Sequence, residues 1–142
     1  MEIVRLIITM SLLLASNAVA AGTLCPNLTG HYMYQSEDGQ IHISITQHKC
    51  DRITIIRESG YLEATTEKHV LELNGQVQAD SVWIGGRKRS SLTSARFIGS
   101  ELHIQTNNVG GSPATFVYSL NADRDLLEGM NRGEPSLAKR QP

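Results

Sequence analysis

Aromatic side chains are scarce in this chain, 5% of 142 residues, with Trp83 the sole tryptophan, and cysteine and proline number only two and four. Neither charge is in excess: 13 basic residues face 14 acidic ones, for a formal net charge of −1. So even a balance argues against a protein that holds nucleic acid or an anionic membrane by bulk electrostatics. Glycine and proline together are too few for a low-complexity linker. No nucleophile elbow, phosphate-binding loop or metalloprotease spacing occurs, so no catalytic residue, no metal site and no cofactor are assigned. What remains reads as one ordinary globular domain.

The one long apolar run, Leu6 to Ala15, is followed by Ala18-Val19-Ala20 before Ala21 and preceded by Arg5. That is the small-residue cleavage pattern of a secretory signal peptide over residues 1–20. The run is shorter than the ~18–20 residues a membrane-spanning helix needs, and no second run of that length follows. The reading is therefore a secreted or periplasmic protein, not membrane-embedded after cleavage. Cys25 follows Leu24, not the small residue of a lipidation site. An exported chain meets an oxidising environment, so Cys25 and Cys50 are expected to form a disulfide, worth roughly 3 kcal/mol on a chain-entropy model. Their wide spacing does not suit redox catalysis.

Beyond the signal, turn signals recur at Asp38-Gly39, Ser59-Gly60, Asn74-Gly75, Gly85-Gly86, Gly99-Ser100, Gly110-Gly111 and Asn121 to Asp125. The β-rich runs between them predict strands near 29–35, 40–47, 52–58, 68–73, 76–84, 90–98, 101–106, 114–120 and 125–131. No helical stripe and no internal repeat interrupts them. The fold class is all-β: an antiparallel up-and-down meander closing into a barrel of about eight to nine strands, pinned by one disulfide. A two-sheet sandwich is the rival, disfavoured because both candidate crossing connections, 60–67 and 107–113, are short. Residues 21–132 form the domain and 133–142 a flexible C-terminal tail.

Faces test the registers. A two-residue loop at Asp38-Gly39 sets Tyr34 opposite Ile43 and Tyr32 opposite Ile45, collecting Tyr32, Tyr34, Ile41, Ile43 and Ile45 on one face. It also sets Cys50 opposite Asn27, two residues from Cys25. A Gly-first turn at Gly99-Ser100 pairs Phe97 with Leu102 and Ala95 with Ile104. At Asn74-Gly75 only a bulged three-residue loop with Gly75 left-handed sorts the faces, grouping Leu71, Leu73, Val77, Ala79 and Trp83.

The opening Cys25-Pro26-Asn27-Leu28-Thr29-Gly30-His31-Tyr32, followed by a glycine turn and an alternating strand, resembles the first strand of calycin-type barrels at their lipocalin and avidin end. The resemblance covers roughly residues 25–47. It implies a barrel that binds a small apolar or amphipathic molecule at an open mouth. Biotin is not implied, since its pockets are walled by several tryptophans.

The candidate cavity residues are the inward aromatics Tyr32, Tyr34, Trp83, Phe97, Phe116 and Tyr118. Ala79, Ser81, Thr93 and Ala95 share their parity and either leave space for a ligand or fit the taper of a filled core. The five histidines have no metal-site spacing; His31 and His42 stand roughly 13 Å apart at ~3.3 Å per residue. Arg87-Lys88-Arg89 is a solvated hairpin tip or a contact for an acidic partner. The leading reading is an exported, non-catalytic, small-ligand-binding barrel. The alternative is a protein-binding module or enzyme inhibitor acting through loop tips at 85–89.

Overall fold

The computed structural model describes residues 25–60, 65–84, 87–108 and 113–142, leaving aside the side chains of residues 83, 84 and 108. The expected signal peptide and the Gly85-Gly86 turn lie outside the described residues. Ten strands occur among those described: β1 (Gly30–Ser36), β2 (Gly39–His48), β3 (Arg52–Ser59), β4 (Thr65–Glu72), β5 (Gln78–Ile84), β6 (Arg87–Ile98), β7 (Glu101–Asn108), β8 (Ala114–Leu120), β9 (Leu126–Met130) and β10 (Ser136–Arg140). Their period-two alternation buries one face: Ile41, Ile43 and Ile45 of β2 are inside while His42 and Thr46 are exposed. Such one-sided strands must cover a common apolar face.

They do so in one antiparallel order, β4-β3-β2-β1-β10-β9-β8-β7-β6-β5, which leaves no second sheet and excludes the sandwich. The terminal strands β4 and β5 meet through side chains. The Gln78 amide accepts from Glu72 N–H at 3.0 Å and donates to Glu72 C=O at 2.9 Å, standing in for a peptide group of the absent ladder. Higher up, His69 Nδ1 lies 2.6 Å from Asp80 Oδ2. The result is a nearly closed up-and-down barrel.

The tenth strand falls where a frayed tail was expected. β10 pairs with both β1 and β9, so it joins the first strand to the rest of the sheet. Ala138 is buried, Lys139 Nζ donates to Asp125 Oδ2 at 2.8 Å, and Arg140 N–H donates to Asp125 Oδ1 at 3.0 Å. The pairing with β1 is long-range, so no local turn announces it.

The β1–β2 hairpin keeps its expected faces but turns one residue earlier. Ser36 pairs with Gly39, which sets Tyr34 opposite Ile41, Tyr32 opposite Ile43 and His42 opposite Met33. Ser36 Oγ holds that turn, accepting from Asp38 N–H and donating to Gly39 C=O, and Gly39 takes φ +116°. Extending this register beyond Gly30 and Ile45 brings Cys25 opposite Cys50. The two form the disulfide, with Cα atoms 5.7 Å apart. The β6–β7 hairpin has the expected pairs, Phe97 with Leu102 and Ala95 with Ile104, around Gly99 at φ +61°.

The expected hairpin at Asn74-Gly75 does not form. Gly75 is left-handed at φ +74°, but residues 73–77 are a crossing between sheet edges, held by Leu73 N–H to Asp51 C=O and Gly75 N–H to Ala95 C=O. Without a ladder to carry register across, β5 enters with the opposite parity. Val77 is 70% exposed and Ala79 and Ser81 are exposed, while Asp80 and Val82 are buried.

Candidate functional site

One end of the barrel is filled. Leu28, Tyr32, Ile43, Ile45, Ile53, Leu71, Ala95, Leu102, Leu126 and Ala138 fill it, and the buried cluster they belong to runs on through Ile55, Ile104 and Tyr118, with Tyr34, Phe97, Phe116 and Leu120 packed against it. The segment before β1 inserts Leu28: its N–H donates to Gln47 Oε1, and Gln47 Nε2 donates to the carbonyls of Pro26 and Lys49. Tyr32 Oη donates to Leu28 C=O at 2.8 Å, its ring folding back over Gly30. A Cβ on Gly30 would stand 2.8 Å from that hydroxyl oxygen, which is why glycine precedes the aromatic by two residues. Arg140 caps the Tyr32 ring at 5.7 Å.

Towards the other end the inward positions turn polar on strand after strand. β3 passes from Ile53 and Ile55 to Arg57, β4 from Leu71 back to His69 and Glu67, β6 from Ala95 back to Thr93 and Ser91, and β9 from Leu126 to Glu128. Because neighbours are antiparallel and in register, these polar residues gather at one level. All but Ser91 line a cavity of about 550 Å³ together with Tyr34, Phe116 and Tyr118. That volume lies within the range of ligand pockets. Exposed Met130 and Glu134, from the β9–β10 side, stand at its mouth.

Glu128 is the centre of the polar wall. Its Oε1 accepts from Tyr34 Oη at 3.2 Å and from an Arg57 terminal nitrogen at 3.3 Å, and the same nitrogen donates to Tyr34 Oη at 2.7 Å. The side chain is only 8% exposed, yet its Oε2 has no hydrogen-bond partner among the described residues. Burial pushes the Tyr118 phenol well above its ordinary pKa, and the Glu128 negative charge and a hydrogen bond between the two side chains push it further. Tyr34 is raised by the same two causes, against the pull of Arg57. Burial works against the Arg57 charge, but Glu128 and then Tyr34 more than offset it and its pKa rises. On the facing wall Ser91, Thr93 and Thr106 form a hydroxyl chain, Thr93 Oγ1 donating to Thr106 Oγ1 at 3.1 Å.

Three of the six candidate aromatics therefore line the cavity: Tyr34, Phe116 and Tyr118. Tyr32 and Phe97 belong to the filled end, and the side chain of Trp83 lies outside the described residues. Arg87, Lys88 and Arg89 are exposed on β6 at the cavity end and line no part of it. Arg57, Glu67, His69 and Glu128 escaped the sequence reading. Their signal was there: each is an ionisable residue on the apolar parity of its strand.

A second depression, about 700 Å³, lies on the outer face of β7, β8 and β9 beside His103, Thr115 and Leu127, without a buried unpartnered group. Comparison with protein-family models, with curated proteins and with solved structures finds no match in any of the three. The likeness to calycin barrels thus rests on architecture, with which the nearly closed meander and its Gly30-x-Tyr32 opening are compatible.

Proposed function

We propose that this protein is an exported, non-catalytic, small-ligand-binding barrel of lipocalin-like type, holding one amphipathic molecule in the cavity above its filled end. The observation that carries this reading is the half-and-half interior: a filled end and, beyond it, an open-mouthed cavity of about 550 Å³ lined by apolar and polar side chains together, the buried Glu128 among them. Polar side chains at Arg57, Thr93, Thr106 and Glu128 would orient the polar end of such a ligand. Apolar surface at Ile55, Ile104, Phe116 and Met130 supplies the hydrophobic part of the contact. The Cys25–Cys50 bridge is consistent with export.

The test is calorimetric titration of the purified protein with apolar and amphipathic probes, paired with Phe116→Ala and Phe97→Ala. Saturable binding that Phe116→Ala weakens while Phe97→Ala spares it is the expected result. Binding of no probe, or equal losses in both variants, refutes the reading. The alternative, a partner-binding loop tip, draws on the exposed Arg87, Lys88 and Arg89. Replacing all three with alanine leaves small-probe titrations unchanged if the cavity is the site.

A further inference from the structure

We infer that the β5–β6 hairpin docks the barrel onto an anionic phospholipid surface, with Arg87, Lys88 and Arg89 on the headgroup phosphates and Leu92 at the acyl boundary. The docking goes beyond the ligand-binding reading and does not depend on it. Two observations carry it. The first is a cationic ribbon that overruns the sheet. The β6–β7 ladder stops at Ser91, so among the described residues Arg87 to Ser90 pair only with β5. All four are exposed, although alternation puts Arg87 and Arg89 on the inward parity, so they stand beyond the rim of the barrel. None of the three cations has an ion-pair partner among the described residues. Their long stems let all three heads reach one plane.

The second is the outer face of the same hairpin. Behind the cations Ser81 faces Ser90 and Ala79 faces Leu92, all exposed, Leu92 by 51%. The only acid of the two strands, Asp80, is buried and turned inward to His69. A face with cations at its tip, an aliphatic group behind them and no carboxylate has the composition of an interfacial anchor. Area decides between lipid and an acidic protein. Four residue pairs at ~3.4 Å rise and ~4.8 Å strand spacing present roughly 130 Å² on a face, against about 800 Å² per partner in a stable protein interface. A lipid surface asks for no such area, because each near-surface Lys or Arg raises partition about fivefold by itself, and three raise it about a hundredfold. The attraction is local to the hairpin, since the chain as a whole has a net charge of −1.

Cosedimentation of the full purified protein at ~0.1 M salt tests it, with vesicles of phosphatidylcholine alone and of equal parts phosphatidylcholine and phosphatidylglycerol. The mixed vesicles should bind about a hundredfold more strongly, and added salt should erode the difference. Emission of Trp83, the sole tryptophan and the ladder partner of Lys88, should shift to the blue on binding. Arg87→Gln, Lys88→Gln and Arg89→Gln together should abolish the preference for mixed vesicles. Lys49→Gln, Arg96→Gln and Arg124→Gln together remove the same charge from exposed sites towards the disulfide end and should keep the preference within about threefold. Equal binding to both vesicles, or none, overturns the docking, as do equal losses in the two triple variants or binding that leaves Trp83 emission unchanged. If soluble poly-L-glutamate binds as tightly as the mixed vesicles at equal charge, the hairpin is a contact for acidic protein and the lipid inference falls. Small-probe titration reads the cavity separately and stands or falls apart from these outcomes.

Discussion

At the disulfide end of the barrel the inward residues of β1, β2, β3 and β7 are leucine, isoleucine and a tyrosine whose hydroxyl is satisfied by Leu28, and nothing is left open. Four residues further along β3 and β7 the inward residues are Arg57 and Thr106, and between them, Tyr118 of β8 and Glu128 of β9 a cavity opens. Both ends obey one alternation and one ladder. The difference lies in side-chain volume and polarity: aliphatic groups interdigitate to crystal-like density, whereas ionisable groups keep their distance for solvation and hydrogen bonding. A single sheet can thus carry stability at one end and leave the other free to bind.

Substitution in the filled end should cost most. Ile53→Ala removes a fully buried side chain at a site with no room to relax and should destabilise by about 4 kcal/mol in urea unfolding, with Phe116→Ala losing less than half as much. Equal losses would abolish the distinction between the ends. Next in size is the disulfide: replacing Cys25 and Cys50 with alanine should cost about 3 kcal/mol and loosen Leu28, read as faster amide exchange at residues 26–30. A cost confined to the cavity end would contradict the placement of the bridge.

The inward tyrosines of both ends should reveal themselves at high pH. Tyr32, Tyr34 and Tyr118 all have phenols raised above their ordinary 10.0, Tyr118 furthest. Their contribution is fully present below pH 10 and is lost as pH rises from there through the folded-state values, so alkaline unfolding should begin above about pH 10. Glu128→Gln removes the second cause of the Tyr118 shift, and its ring should then titrate at lower pH by NMR while staying above its ordinary value. An unchanged titration would detach Tyr118 from Glu128.

The smallest effect belongs to the C-terminal strand. Hydrogen bonds from Lys139 and from Arg140 N–H hold Asp125 below its ordinary 3.8. Its contribution is present above that value and is lost as pH falls through the lower folded one. Amide exchange in β10 should rise at that acid edge, and at neutral pH in Asp125→Asn.

How much of this was legible in advance depends on range. The β6–β7 hairpin was read pair for pair, because a Gly-first two-residue turn and clean faces leave one register. The β1–β2 faces were read correctly with the turn one residue out, since moving the turn by one residue changes each partner by two and spares the parity. Asn74-Gly75 misled because a turn sequence describes only its own backbone; the strands beside it are opposite edges of the sheet, and β5 takes its parity from β6. Within the site, Tyr34, Phe116 and Tyr118 were named as aromatics. Glu128 and Arg57 sit on the inward parity of their strands, but nothing local shows that the two meet.

The sequence by itself determined the alternation, the all-strand class, the cysteine pair and most of the inward face, because each follows from sterics and burial over a few neighbouring residues. Tertiary structure alone decided that β10 joins β1, that Gln78 and His69 draw the two edges together, and that Arg57, Tyr34 and Glu128 meet. Those contacts join residues as far apart as 32 and 140, and only closure of the barrel brings such distant positions together.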